Sequence, residues 1–248
     1  MNKKVVYTCL VGAYDILEEP HIRDGWDYIC FSNDYVASPE SIWTILPIPS
    51  EYDDNVILSR YAKLLPHRVL SDFEYSVYID ANLSIVNELF FDQIDKLIQS
   101  NTTIAIAKHT QRTCIYQEIE ACYKLSKESY KNLSNWHKYL KGEQYPDKNG
   151  LHENNIIFRR HNDLRLIEMN EYWMLIFTKF VKRDQLSLEF VAWKYNIPIK
   201  PLFYEGFNSR NCDFLKFSLH KENFIQKLQR KYRENRNQFI FFIRRGLK

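Results

Sequence analysis

The tripeptide Asp80-Ala81-Asn82 stands directly after the apolar run Val77-Tyr78-Ile79. A carboxylate at the carboxyl end of a buried strand lies where open α/β sheets bind their ligands. Asp and Asn supply hard oxygen ligands, which suit a divalent cation acting as a Lewis acid beside a departing diphosphate. Alone, a D-x-N match is more often a turn, because both residue types punctuate turns. Two cations add weight to it. In Ser59-Arg60-Tyr61-Ala62-Lys63, Arg60 and Lys63 share one helix face at i, i+3 and together can hold a diphosphate; an ordinary solvated helix face is the plain alternative. Further along, Asp184 follows Arg183 and opens a helical run, where a helix N-terminus favours a charged carboxylate. It reads either as an N-cap or as an acceptor or general base for a substrate hydroxyl. His109, Arg112 and Glu118 follow an apolar run, and Arg112 can either bind a phosphate or pair with Glu118.

These residues need a frame, and the hydrophobic pattern supplies one. Lys4–Val11, Tyr28–Ser32, Trp43–Leu46, Tyr75–Ile79, Thr103–Ala107, Asn155–Arg159 and Ile197–Leu202 read as strands. Apolar residues at helical spacing mark 55–70 (with Pro66 as a kink or stop), 87–100, 118–139, 163–178 and 185–195 as helices. Alternation of this kind predicts an α/β fold with a mostly parallel central sheet flanked by helices. Lys141–Leu151 is a loop, and no repeat or interdomain linker is evident.

Composition narrows the class. A chain of 248 residues can bury one core, and 45% hydrophobic residues with 15% aromatics exclude disorder. Five cysteines, an odd number without a CxxC pair, point to neither disulfides nor a zinc cluster. No apolar run reaches the length of a membrane span, and the start of the chain lacks a signal-peptide core, so a cytoplasmic location is expected. A net charge of +3 is too small to argue for nucleic acid as a partner.

In order along the chain, Val6-Tyr7-Thr8-Cys9-Leu10-Val11-Gly12-Ala13-Tyr14-Asp15, Cys30-Phe31-Ser32-Asn33-Asp34, Ser59–Lys63, Tyr78-Ile79-Asp80-Ala81-Asn82, His109–Glu118 and Arg183-Asp184-Gln185 resemble a glycosyltransferase-like family, long classed as a domain of unknown function. That family includes plant proteins of seed-mucilage polysaccharide synthesis and bacterial polysaccharide-cluster enzymes. The resemblance spans roughly 4–195 and implies a GT-A fold, distantly similar to glycogenin-type transferases. It implies that Thr8, Gly12, Ala13, Tyr14 and Asp15 hold the nucleoside, that Asp34 contacts base or ribose, and that Arg60 and Lys63 reach the diphosphate or sugar. His109 and Arg112 would also face the donor. Asp80 and Asn82 would contact metal and ribose, with His220 completing the metal site for Mn²⁺ or Mg²⁺. Asn82 departs from the usual D-x-D by lacking a second charge, which weakens the expected metal affinity. Asp184 and Gln185 take the catalytic position, while Glu153, Asn154 and Arg159 line the acceptor side.

The function so implied is hexosyl transfer from a nucleotide sugar, a UDP-sugar by preference, to a cell-surface polysaccharide or lipid-linked glycan. The alternatives are a nucleotide-sugar hydrolase or nucleotidyltransferase, or a non-catalytic glycan- or membrane-binding module. The transferase domain is expected over 1–220 and a helical extension over 221–248. In that extension nine Lys or Arg against two Glu accompany Phe239-Ile240-Phe241-Phe242-Ile243, a composition suited to an amphipathic helix on the anionic inner face of the cell membrane.

Overall fold

The computed structural model describes residues 3–12, 17–204, 207–218 and 224–246. Its elements, in chain order, are β1 (Lys4–Cys9), β2 (Trp26–Phe31), β3 (Thr44–Leu46), α1 (Asn55–Leu64), α2 (Pro66–Val69), β4 (Tyr75–Ile79), β5 (Leu83–Ile85), α3 (Leu89–Gln99) and β6 (Ile104–Lys108). After them come α4 (Ile115–Lys124), α5 (Tyr130–Gly142), β7 (His152–Arg159), α6 (Leu164–Lys179), a 3₁₀ turn (Asp184–Leu186), α7 (Leu188–Lys194), β8 (Lys200–Pro201), β9 (Leu215–Phe217) and α8 (Phe224–Gly246).

Seven strands form one sheet in the order β3-β2-β1-β4-β7-β6-β8. β1 pairs in parallel with β2 and β4, β2 with β3, and β6 with β8, whereas β7 is antiparallel to both β4 and β6. The sheet is therefore mostly parallel, with β7 alone running against its neighbours. Strands buried on both faces need near-continuous apolar sequence, which β1, β4 and β6 supply. One face packs Tyr7, Tyr78, Ile106 and Ile157 against α1 and α4 to α7, and the other packs Val6, Val77, Ala105 and Phe158 against α3 and the small β5–β9 sheet.

Local signals set several boundaries. Asp54 caps α1 by accepting from the Val56 and Ile57 amides, and Asp163 caps α6 in the same way. Pro66 does not merely stop α1. It starts α2, since a helix's first turn loses nothing from the missing N–H.

Three expectations need correction, and one pairing was not anticipated. The helix expected over 118–139 is two helices, because Ser126 takes a left-handed backbone (φ 54°) and Ser129 caps a fresh start at Tyr130. The helix expected from Gln185 begins instead as a 3₁₀ turn, with α7 following at Leu188. The strand expected over 197–202 shrinks to Lys200–Pro201, since Pro198 and Pro201 deny it ladder donors. The β5–β9 pairing, which joins segments far apart in the chain, has no sequence signature.

Trp136 ties this framework to the turn that carries Asp184. Fully buried, its indole donates to the Leu186 carbonyl at 2.9 Å and packs against Tyr139, Phe180 and Phe190. Trp136→Ala is expected to destabilise the domain by about 3–5 kcal/mol in urea unfolding, the cost of a large cavity plus an orphaned carbonyl.

Candidate active site

Because β7 runs opposite to β4 and β6, its amino end meets their carboxyl ends. Asp80, which leaves β4, donates its amide to the Asn155 carbonyl at 2.8 Å. Tyr78, two residues earlier and on the same strand face, donates its hydroxyl to Asp80 Oδ1 at 2.9 Å. Burial and the neighbouring Asp80 charge push the Tyr78 phenol well above its usual value, so it remains a donor.

Below this edge lies α1. Lys63 Nζ sits 2.5 Å from Asp184 Oδ2 and 3.4 Å from Asp80 Oδ1, while Arg60 Nε is 3.7 Å from Asp184 Oδ1. The i, i+3 spacing sets both cations on one helix face, where they meet one carboxylate of the chain itself. They are not equivalent, however. The Lys63 side chain is 2% exposed and Arg60 32%, so Lys63 lies buried between two carboxylates, whereas Arg60 borders solvent.

Asp184 is the centre of this charge cluster. Burial opposes its ionisation, but the attraction of Lys63 and Arg60 and the Lys63 contact outweigh that and hold its carboxyl well below the usual carboxylate range. Burial likewise disfavours the Arg60 charge, and Asp184, Tyr78 and Asp80 reverse the balance. A carboxylate so strongly ionised is a weak proton acceptor. The geometry makes Asp184 an anchor for cations more than a base, and neither does it cap the turn it begins. Gln185 is occupied too, donating to the His152 carbonyl at 3.1 Å.

Arg159, expected on the acceptor side, is fully buried. It donates to the Tyr7 hydroxyl at 3.2 Å and to the Lys63 carbonyl at 2.8 Å, so it supports α1 from inside the sheet and reaches no acceptor. Asp34 accepts from the Gly12 amide at 2.8 Å and the Ser32 hydroxyl at 3.0 Å. It fixes the turn where Gly12 adopts φ 70°, a conformation that favours glycine. Thr8 is buried at the carboxyl end of β1, and its hydroxyl has no partner among the described residues.

Past β6, the His109 Nδ1 accepts from the Gln111 and Arg112 amides at 3.0 Å each, and Arg112 pairs with the buried Glu118. His109 and Arg112 therefore hold their own loop together. Burial and then the Arg112 charge lower the His109 pKa, leaving the ring neutral. Glu153 accepts from Ser209 at 3.1 Å and Thr110 at 3.5 Å, and Asn155 also donates to Ser209, at 2.8 Å. Asn154 is buried with neither amide atom partnered among the described residues.

No three His, Cys, Asp or Glu side chains gather as a metal group among the described residues. Asp80 and Asn82 offer two side-chain oxygen donors on one turn, while the main-chain carbonyl of Asn82 accepts from the Ser218 amide at 2.8 Å. His220, Ala13, Tyr14 and Asp15 lie outside the described residues. Sequence reasoning missed Tyr78, although its i, i+2 relation to Asp80 was legible as a shared strand face. It also missed Asn155, Ser209 and the buried His152–Glu189 pair, which no local pattern marks.

Cations and carboxylates gathered beyond the carboxyl ends of a mostly parallel sheet occupy the position at which α/β folds bind ligands. More particularly, the chain belongs to the TOD1/MUCI70 glycosyltransferase-like domain family, whose model matches residues 31–218. It is 25% identical over 162 residues to the "Probable hexosyltransferase MUCI70" of Arabidopsis thaliana. That match covers 62% of this chain but 28% of the plant protein, so the chain spans under a third of that relative's length. Solved structures that resemble it include the WbbM bifunctional glycosyltransferase (TM-score 0.46, 12% identity, 78% of this chain and 37% of that one). Another is mouse xyloside xylosyltransferase 1 (TM-score 0.42, 6% identity, 81% and 84%).

Two outcomes follow from the charge cluster. Lys63→Met removes the nearer cation and leaves the buried Asp184 only the longer contact to Arg60, and it is expected to cost about 3–5 kcal/mol in urea unfolding, with Asp184→Asn in the same chain restoring part of the loss. Because the folded pKa of Asp184 is depressed, the stability it contributes is fully present above its unfolded pKa of about 3.9 and falls away as pH drops below that. Asp184→Asn should accordingly flatten the decline of the unfolding midpoint below about pH 4.

Proposed function

We propose that this domain transfers a hexosyl group from a nucleoside diphosphate sugar, with UDP as the preferred nucleotide, to a hydroxyl of a polysaccharide or lipid-linked glycan. The observation that carries this reading is the convergence of Arg60, Lys63, Asp80 and Asp184 at one sheet edge, within the span that matches the family. Transfer leaves a nucleoside diphosphate, and the charge that builds on it must be stabilised by groups already in place. Arg60, partly exposed and aligned by Asp184, is the cation suited to meet it. Lys63 works one layer deeper, holding Asp184 and Asp80 in place from between them.

Asp80 and Asn82 are hard oxygen donors, too few to enclose a cation by themselves but fitting one shared with diphosphate oxygens and water, as Mg²⁺ is commonly bound. Bound there, Mn²⁺ or Mg²⁺ would supply further neutralisation of the diphosphate. Asp34 keeps the Gly12 turn close to the carboxyl end of β1, where the nucleoside is proposed to sit. Glu153 and Asn154, at the opposite flank of Asp80, are assigned to the acceptor side, where both lie buried at the edge of the sheet. Asp184 is assigned to positioning, because its two carboxylate oxygens face Arg60 and Lys63.

Incubation with a panel of UDP-hexoses and glycan acceptors should give acceptor-dependent release of UDP, and Arg60→Ala should lower the rate by about 10²–10³ while the fold is retained. Release of free hexose with no transfer to any acceptor would assign the site to hydrolysis instead. In thermal unfolding, the preferred donor at about a hundred times its Kd should add about 2.7 kcal/mol, with a larger shift when Mn²⁺ is present and none in Asp80→Ala.

A further inference from the structure

The last helix, α8, has two faces with opposite fates. Its inner face carries Arg230, Glu234, Asn237 and Phe241, spaced four, three and four residues apart. Asn237 is buried and donates to the Tyr123 carbonyl at 2.9 Å, and the Phe241 ring lies 6.3 Å from that of Tyr123 with Lys124 Nζ 4.2 Å above it. This face docks α8 on α4. On the opposite side, Ile225, Leu228, Tyr232, Phe239 and Phe242 are 65%, 52%, 70%, 66% and 77% exposed. With Asn235 they form a continuous stripe spaced three, four, three, four and three residues apart. Five large apolar side chains in one row on a surface mark an interaction site.

That spacing also describes the seam of a coiled coil, so a second copy of the chain is the obvious rival occupant. The flanking residues decide between them. On a helical heptad the positions beside the stripe are Gln229, Lys231, Arg236 and Gln238, with no acid among them. In a parallel pair Lys231 of one helix would face Arg236 of the other, and in an antiparallel pair no carboxylate is available to either. Self-pairing sets like charges together, whereas an anionic surface receives every one of them. Between 225 and 242 the chain carries Lys227, Arg230, Lys231, Arg233 and Arg236 against Glu234 alone. No described helix is long and apolar enough to cross a membrane, and one apolar face flanked by cations suits a helix lying along the interface.

We propose that the outward face of α8 is a membrane-docking surface: Ile225, Leu228, Tyr232, Phe239 and Phe242 enter the headgroup boundary, and the flanking cations hold anionic lipid headgroups. The docking of α8 on α4 then fixes the domain against the bilayer. The inference stands apart from the reaction, since it uses none of the residues at the sheet edge.

The test is co-sedimentation of the full chain with vesicles of phosphatidylcholine alone or mixed with phosphatidylglycerol. Binding is expected to the mixed vesicles, to weaken as salt is raised, and to fall at least about tenfold in the Lys227→Glu, Lys231→Glu double variant, whose changes are confined to exposed positions. The Phe239→Ser, Phe242→Ser variant should lose binding as well, with the far-UV circular dichroism and melting temperature of the parent. Equal binding to both vesicle types would overturn the proposal, as would no binding to either. A concentration-dependent dimer in light scattering that the Phe variant abolishes, with vesicles ignored, would assign the face to a second copy.

Discussion

Burying a lysine side chain to 2% exposure is costly unless carboxylates surround it, and Lys63 has Asp184 at 2.5 Å and Asp80 at 3.4 Å. The geometry of the candidate site depends on that requirement. Desolvating one ammonium and one carboxylate costs several kcal/mol for each ion, and only close, well-formed contacts recover it. The pair therefore fixes the position of α1 relative to the turn at Asp184, and through Asp80 it fixes both relative to the end of β4. Arg159, buried on the other side of α1, holds the Lys63 carbonyl and makes the helix backbone as constrained as its side chain. Arg60 inherits this rigidity, one helical turn away and with its guanidinium toward solvent. A cation held before its ligand arrives need not reorganise when charge develops, which is how preorganised sites lower barriers.

The reversed direction of β7 matters as much to the site as the charges do. Had it run parallel to its neighbours, His152–Asn155 would lie at the far edge of the sheet. Running against them, it brings Glu153, Asn154 and Asn155 beside Asp80, with the irregularity between Ile106 and Ala107 adjusting the register there. The backbone bond from Asp80 to Asn155 then links the two halves of the chain at the very residue on which the donor side is proposed to depend. The Trp136 bond to Leu186 and the Gln185 bond to His152 hold the 3₁₀ turn in the same frame, so the Asp184 carboxylate is set by packing and not by helix capping.

At the other end of the chain, α8 shows how one sequence stretch can serve two surfaces. Its inner face is secured by few contacts, chiefly Asn237 and Phe241, against α4. Its outer face repeats apolar residues at coiled-coil spacing yet is flanked by cations, so the same periodicity that would suit a partner helix is discouraged from finding a copy of itself.

Much of this was written in the sequence. The apolar runs at β1, β4 and β6 fixed the buried strands, because a strand covered on both faces can be recognised from continuous apolar sequence. Apolar spacing announced the helices that Asp54 and Asp163 cap, and the i, i+3 relation of Arg60 and Lys63 put both on one helix face, while the carboxylate they share was not legible. The ordered series from Gly12 to Gln185 was sufficient to place the chain in its glycosyltransferase-like family. What the sequence left open depends on distance in space. Whether Arg159 lines a cleft or lies beneath it is set by which side of the sheet α1 covers. Likewise, whether Lys63 meets a ligand or two carboxylates depends on where a turn more than a hundred residues later comes to rest. Local patterns encode periodicity and capping, whereas burial and ion pairing are properties of the packed chain, so the elements were legible and the electrostatic state of the site was not.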